Sequence, residues 1–338
     1  MSSSFPTLTC SDVLKFQFSS WYPAFKGVTM KSTVIRPLSR EFKEYLLADG
    51  IYIPDGSEDV PLTGTVVEDG DDDDDRPRYA FPELDAQIRD AVSEYEAVFP
   101  KLNFTSPKDA SWMLSTSTPL RCASPADLYI LLKSSDFTQH DLALESVFEG
   151  CEDASNPPPY ELELVLRKWY HVDTSREFRC FVRQGVLLAI SQREPNPYDY
   201  MLETDYKEKV KGTISSFWER EISGKWPTDD YVFDFLLTRK LDSGHIVDFQ
   251  PYASKTDALL FTYEELESIR LADKQSLPVF RVVDGSTDFS RIAPKDIHNK
   301  VPMEFLSLSA GQNIEEFKKI WEEEIQKACA ESDSEEDQ

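Results

Sequence analysis

Three oxygen-bearing side chains near residue 240, Asp234, Asp248 and Gln250, interrupt an otherwise apolar pattern. Tyr231, Phe233, Phe235 and Leu237 alternate along one strand face, which puts Asp234 on the opposite face between Val232 and Leu236. On the returning strand Asp248 and Gln250 share a face, and Val247 with Phe249 takes the other. Residues two apart lie ~6.6 Å apart along a strand, and Asp234 on the facing strand comes within about 5 Å of one of them. Two carboxylates and an amide oxygen are hard ligands of the kind Mg²⁺ takes, with phosphate oxygens and water to complete the shell. A carboxylate in so apolar a strand pair is costly unless a cation offsets its charge. The alternative is that these are acids of an edge strand facing solvent.

The complementary charge comes from an earlier hairpin. Arg167-Lys168-Trp169 closes an alternating strand, Glu177 and Arg179 share one face of the next, and Ser191 and Arg193 share a face of the third. Arg193 sits where that strand meets the proline-rich segment Pro195–Pro197. Arg179 and Arg193 are therefore candidates for gripping phosphate oxygens, bidentately where geometry allows. Lys101, in Phe99-Pro100-Lys101-Leu102-Asn103, adds a basic group from a separate segment. Trp169 is either an aromatic wall for a base or a core side chain. Taken singly, any of these is more often a surface residue than a ligand; paired acids and clustered bases in one acidic chain give them their weight.

Other routes to nucleotide chemistry are missing. No G-x-x-x-x-G-K-[ST] and no strand-bound G-x-G-x-x-G occurs. The H-R-D and D-F-G signatures, a nucleophile elbow and H-E-x-x-H are absent too. With only 12 glycines in the chain, phosphates would be held mainly by side chains.

The elements that must position these groups are hairpins followed by helices. Glu161–Trp169 reads as a strand with Leu162, Leu164 and Leu166 on one face. Glu177–Val182 and Val186–Gln192 flank a tight turn at Gln184-Gly185, and Tyr231–Leu237 and His245–Gln250 flank a loop containing Asp242-Ser243-Gly244. Leu84, Ile88, Val92 and Tyr95 recur at helical spacing, as do Ile214, Phe217, Trp218 and Ile222, and Ile314, Phe317, Ile320, Trp321 and Ile325. Ser124-Pro125-Ala126-Asp127 carries the signals of a helix start, and Thr262 with Glu265 forms a capping box. The fold class is α+β with an antiparallel sheet as platform.

Composition narrows the functional classes. At 338 residues and 40% hydrophobic, the chain holds enough apolar material for one large domain or two intimate ones. It has no run of 18 apolar residues and no secretory start, so neither a membrane span nor export is expected. Five scattered cysteines (Cys10, Cys122, Cys151, Cys180, Cys329) and four scattered histidines argue against a disulfide framework or a zinc centre and fit a reduced compartment. A net charge of -26 repels phosphate backbones and disfavours nucleic acid, and it serves either solubility or attraction to a basic protein surface. The segments Glu68–Asp75 and Glu331–Gln338 are expected to be solvated, the latter with Ser332 and Ser334 set among acids.

The segments carrying this chemistry resemble those of the cell division cycle protein 123 family, also called the D123 family. They are FQFSSWYPAFKGVTMKS (Phe16–Ser32), FPKLNFTSPKDASWM (Phe99–Met113), LLKSSDF (Leu131–Phe137), ELVLRKW (Glu163–Trp169), EFRCFV (Glu177–Val182), ISQR (Ile190–Arg193), YVFDF (Tyr231–Phe235) and VDFQPY (Val247–Tyr252). The resemblance implies an ATP-grasp-like fold with antiparallel sheets, flanking helices and ATP with Mg²⁺ between two lobes. The expected division is an N-terminal segment 1–15, a lobe 16–160 with an acidic loop near 55–78, a lobe 161–328 and an acidic tail 329–338. Carried over residue by residue, Lys101, Asn103, Arg167, Lys168, Trp169, Glu177, Arg179 and Arg193 fall in ATP-site segments, and Asp234 and Asp248 match metal-binding acids. Where the family commonly has DFNP, this chain has DFQP, so Gln250 presents the amide oxygen on an arm one methylene longer.

The resemblance also implies a cytoplasmic, monomeric assembly factor. It would bind the C-terminal domain of the gamma subunit of translation initiation factor 2 and promote union with the alpha subunit, with a link to cell-cycle progression and no direct contact with nucleic acid or membrane. Competing expectations are an ATP-dependent carboxylate–amine ligase and a scaffold whose ATP site is only structural. The aromatic segment Phe16–Phe25 is either an anchor for the partner or core.

Overall fold

The computed structural model describes residues 5–58, 78–114, 118–272 and 277–284. The chain forms two compact units, 1–292 and 293–338, and every described residue belongs to the first. The acidic segment Glu68–Asp75, the helical pattern Ile314–Ile325, Cys329 and the acidic tail lie outside the described residues.

Two sheets organise the first unit. In the smaller one, β1 (Ser32–Ile35), β2 (Val98–Lys101) and β3 (Leu164–Lys168) run antiparallel in the order β1-β3-β2. The larger has the order β7-β6-β4-β5-β8, built from β4 (Glu177–Arg183), β5 (Val186–Gln192), β6 (Tyr231–Leu237), β7 (Gly244–Pro251) and β8 (Val279–Arg281). The antiparallel platform expected from the hairpins is present, with one difference: β8 joins β5 in parallel. That pairing links segments some ninety residues apart, and no hairpin pattern announces it.

Both expected hairpins form for the reasons the sequence suggests. Gln184 and Gly185 have φ of 52° and 67°, the left-handed pair that a type I′ turn requires. In the β6–β7 hairpin Asp234 stands directly opposite Asp248 and Val232 opposite Gln250. A register shift between Asp234 and Phe235 bulges the pair there.

Among the helices, α1 (Cys10–Leu14) and α2 (Phe18–Phe25) lead into β1, and α3 (Arg40–Leu47) and α4 (Pro82–Tyr95) follow it. Between β2 and β3 come α5 (Pro125–Lys133), α6 (Asp136–Leu142) and α7 (Leu144–Val147). The helices α8 (Thr204–Phe217) and α9 (Tyr263–Leu271) accompany the larger sheet. The capping boxes at Ser124/Asp127 and Thr262/Glu265 are both closed. The face expected from Ile214 to Ile222 is not one helix: α8 ends at Phe217 and Trp218–Ile222 continues as a π turn.

Leucines 162, 164 and 166 face α3, α4 and α5 in one core, with Tyr45, Ile88 and Leu128. A second core lies on the larger sheet, where Cys180, Phe233 and Phe235 meet Ile214 and Phe217 of α8. Phe16, Phe18, Trp21, Tyr22 and Phe25 are buried there too, with Trp21 and Phe25 each 5.2 Å from the Phe249 ring. This segment is core, not an exposed anchor. A buried aromatic of this size stabilises by about 1.5–3 kcal/mol. The segment packs against the larger sheet, and β3 is the central strand of the smaller one.

Candidate functional site

The two sheets meet along a seam stitched by Thr29. Its Oγ1 donates to the carbonyl of Ile246 at 2.7 Å, and the Ile246 amide donates to Val28 at 2.9 Å. On the β3 side the Lys168 amide donates to Lys31 at 2.9 Å. Arg167 crosses the same seam, donating from Nη1 to the Val247 carbonyl at 2.7 Å beside the rings of Phe18 and Phe99. Above this seam opens a cleft of about 400 Å³, in the size range of small-molecule sites.

One wall of the cleft carries the acids. Asp234, Asp248 and Gln250 all line it, as the strand register places them on one side of the hairpin. Asp234 lies on an interior strand, whereas Asp248 lies on the edge strand β7 but is tied to Lys101. Asp234 is 3% exposed and is held by Arg179 at two points, Nε to Oδ1 at 2.8 Å and Nη2 to Oδ2 at 2.9 Å, with Arg193 Nε 3.5 Å from Oδ2. Asp248 Oδ2 accepts from Lys101 Nζ at 2.7 Å. The cation expected to offset the buried charge is thus supplied by the chain itself. Among the described residues no group of three or more His, Cys, Asp or Glu side chains is arranged to hold a metal ion.

Burial pushes the Asp234 carboxyl up, but the charges of Arg179 and Arg193, the Arg179 hydrogen bond and Lys108 outweigh it and hold the group well below the usual carboxylate range. Asp234 in turn raises the Arg193 guanidinium against the effect of burial. Burial lowers Arg167, with Asp248 opposing. The Nε atoms of Arg167 and Arg193 are buried without a hydrogen-bond partner, although both side chains line the cleft. Arg193 Nη1 donates to Glu177 Oε2 at 2.9 Å, which aims that guanidinium.

The expected residues divide into two sets. Arg167, Trp169, Glu177, Arg193, Asp234, Asp248 and Gln250 come together on the cleft wall. Lys101, Asn103, Lys168 and Arg179 are not among its lining residues. Lys101 is 1% exposed and donates to Asp248 and to the Phe104 carbonyl, so it acts from behind the wall. Asn103 is bonded within the chain, donating to the Glu161 carbonyl and accepting from the Glu163 amide. Arg179 turns into the sheet, with Nη1 on the Asp257 carbonyl at 2.9 Å. Lys168 lies under the Tyr170 ring.

Trp169 is not a core residue. It is half-buried at the cleft edge, with Nε1 donating to the Pro119 carbonyl at 3.1 Å. Phe99 and Phe104 add apolar wall, and Tyr170, His171 and Thr174 continue it past Trp169. Lys108 also lines the cleft and is exposed to it. The charge of Arg193 beside it pushes its ammonium down to about 8. Local sequence could not separate Lys108 from a surface lysine, although it lies inside the quoted segment Phe99–Met113. Five cations (Lys101, Lys108, Arg167, Arg179, Arg193) thus surround three carboxylates (Glu177, Asp234, Asp248), a locally positive site in a chain of net charge -26. Such a site suits a polyanion with an aromatic group.

The D123 family model matches residues 21–309. A protein of Schizosaccharomyces pombe named translation initiation factor eIF2 assembly protein is 36% identical over 325 residues, covering 94% of this chain and 97% of that one. An Aspergillus terreus protein named cell division cycle protein 123 is 32% identical over 399 residues, covering 98% and 93%. The solved structure of Cdc123 from Schizosaccharomyces pombe superposes with a TM-score of 0.68 at 33% identity, covering 82% of this chain and 99% of that one. The α+β arrangement is shared across that span.

Proposed function

The chain belongs to the D123 family, and on that premise we propose that it is an ATP- and Mg²⁺-binding assembly factor of translation initiation factor 2 in the cytoplasm. It binds the C-terminal domain of the gamma subunit and promotes union with the alpha subunit. That it assembles translation initiation factor 2 rests on what the relatives are named for; the gamma and alpha subunits as partners come from the family resemblance alone. The nucleotide reading rests on one observation: Lys108, Arg167 and Arg193 border the same cleft as Asp234, Asp248 and Gln250, with Trp169 and Phe104 in the wall.

The donor set fits the two groups differently. Arg167 Nε, buried without a hydrogen-bond partner, and Arg193 Nε, which lacks a hydrogen bond beside its ion pair with Asp234, suit phosphate oxygens. Asp234, Asp248 and Gln250 suit Mg²⁺ as a partial shell, since each carboxylate oxygen keeps a second lone pair beside its internal bond. The ion would then arrive with the nucleotide, whose phosphates complete its ligands, and it would supply neutralisation of phosphate charge. Arg179 and Lys101 hold the acids in place, and Glu177 aims Arg193. Trp169 offers a face to the base.

Calorimetry with Mg·ATP, then a pulldown with the isolated gamma domain and an assembly assay adding the alpha subunit, tests both halves. Binding of each ligand by the wild-type chain is expected. A folded gamma domain that the chain does not bind would overturn the assembly reading. ADP release dependent on an added carboxylate and amine would favour the ligase instead.

A further inference from the structure

The wall of the cleft from Phe104 to Pro107 is a loop after β2 that runs into a short 3-10 turn starting at Lys108, and a loop does not hold side chains in place by itself. Two buried or half-buried carboxylates bind it to α6. Asp141, fully buried near the end of α6, accepts at Oδ2 from the Phe104 amide at 2.8 Å, the Thr105 amide at 2.9 Å and the Thr105 hydroxyl at 3.1 Å. Its Oδ1 contacts His140 Nδ1 at 2.8 Å, and the His140 ring stands edge-on to Phe104. Asp109, adjacent to Lys108, reaches the other end of the same helix: it accepts from the Asp136 amide at 2.8 Å, the Phe137 amide at 3.3 Å and the Ser135 hydroxyl.

We propose that Asp109 and Asp141 are positioning residues of the nucleotide cleft, splinting Phe104–Lys108 onto α6 so that Phe104, Thr105 and Lys108 are fixed where the ligand meets them. Neither aspartate lines the cleft. They act through the backbone they grip. Two anchors at opposite ends of one helix remove the loop's freedom to hinge, which a single anchor would leave. Charge-assisted bonds from successive amides are strong, and losing the carboxylate would strand buried donors. The inference rests on the nucleotide reading of the cleft for its functional part; the splint itself does not.

The test separates positioning from stability. Asp85 provides the control, being a buried carboxylate bonded by the Tyr129 hydroxyl at 2.6 Å and absent from the cleft lining. For Mg·ATP, Asp141→Ala and Asp109→Ala are each expected to weaken binding on the order of tenfold or more, the size of losing one hydrogen bond to a charged group once Phe104, Thr105 and Lys108 are no longer held. Asp141→Asn keeps an oxygen for the Phe104 and Thr105 amides and is expected to restore most of the affinity. Asp85→Asn should lower the melting temperature and leave affinity unchanged. Unaltered affinity in Asp141→Ala, or an equal loss in Asp85→Asn, would overturn the proposal. If the wild-type chain binds no Mg·ATP, the cleft reading fails, and amide exchange decides the splint alone. Exchange at Phe104 and Thr105 should accelerate in Asp141→Ala and not in Asp85→Asn; no difference between them would sink it.

Discussion

Arg179 and Asp234 stand opposite each other across the β4–β6 pair and are joined at two points, 2.8 and 2.9 Å, with both side chains almost wholly buried. The most acidic position of the cleft is therefore also a structural joint of the larger sheet. Any change there acts on fold and ligand together.

Asp234→Ala leaves the Arg179 guanidinium buried without its counter-charge, and such a loss costs about 3–5 kcal/mol. Urea unfolding is expected to show that fall. The double variant Arg179→Met/Asp234→Leu removes both charges and should recover much of it. A double variant as unstable as the single one would mean that packing, not the stranded charge, sets the cost.

Acid should reveal the same pair. The Asp234 carboxyl is held below its unfolded value of about 3.9. A depressed carboxyl contributes stability that is fully present above the unfolded value and disappears as pH falls toward the folded one. The difference in stability between wild type and Asp234→Asn is expected to be constant from pH 7 to about 5 and to shrink below about 4. A difference that instead shrinks near neutrality would assign the effect to another group.

On the proposed reading of the cleft, Lys108 should make ligand binding pH-dependent at the alkaline end. The neighbouring Arg193 charge holds its ammonium down at about 8. A bound polyphosphate supplies negative charge and raises it, so binding takes up a proton near that pH. Affinity for ATP should be full below about 8 and decline above it. Calorimetry at pH 8 in buffers of different ionisation enthalpy should detect the uptake, and Lys108→Arg should abolish it while keeping the charge. Uptake that survives in Lys108→Arg would exclude this lysine.

Trp169 should matter to the base and not to the phosphates. Removing an aromatic platform loses about 1–3 kcal/mol of stacking, so Trp169→Ala is expected to weaken ATP roughly tenfold while inorganic triphosphate binds as before. Because Nε1 is tied to Pro119, Trp169→Phe serves as the control that keeps a ring without the tie. Equal losses for both ligands in Trp169→Ala would place the tryptophan outside the base site.

The sequence by itself determined the local pieces: the Gln184-Gly185 turn, the capping boxes at Ser124 and Thr262, and the hairpin that sets Asp234, Asp248 and Gln250 on one side. Each follows from short-range rules, namely the sterics of φ > 0, helix-end donors that need acceptors, and a two-residue side-chain period. Tertiary structure alone decided which charge meets which. Lys101 reaches Asp248 across 147 positions and Arg179 reaches Asp234 across 55, so two expected ligands became supports behind the wall. Lys108, indistinguishable from a surface lysine in the chain, borders the cleft next to Asp109, and Asp109 and Asp141 tie that segment to α6. The aromatic run Phe16–Phe25 went into the core for the same kind of reason, since it meets the larger sheet only once β7 and α8 are in place. Periodicity specifies a face and a neighbour a few residues away. The partner of a buried charge is chosen by the packing of whole elements, which carries no local signature.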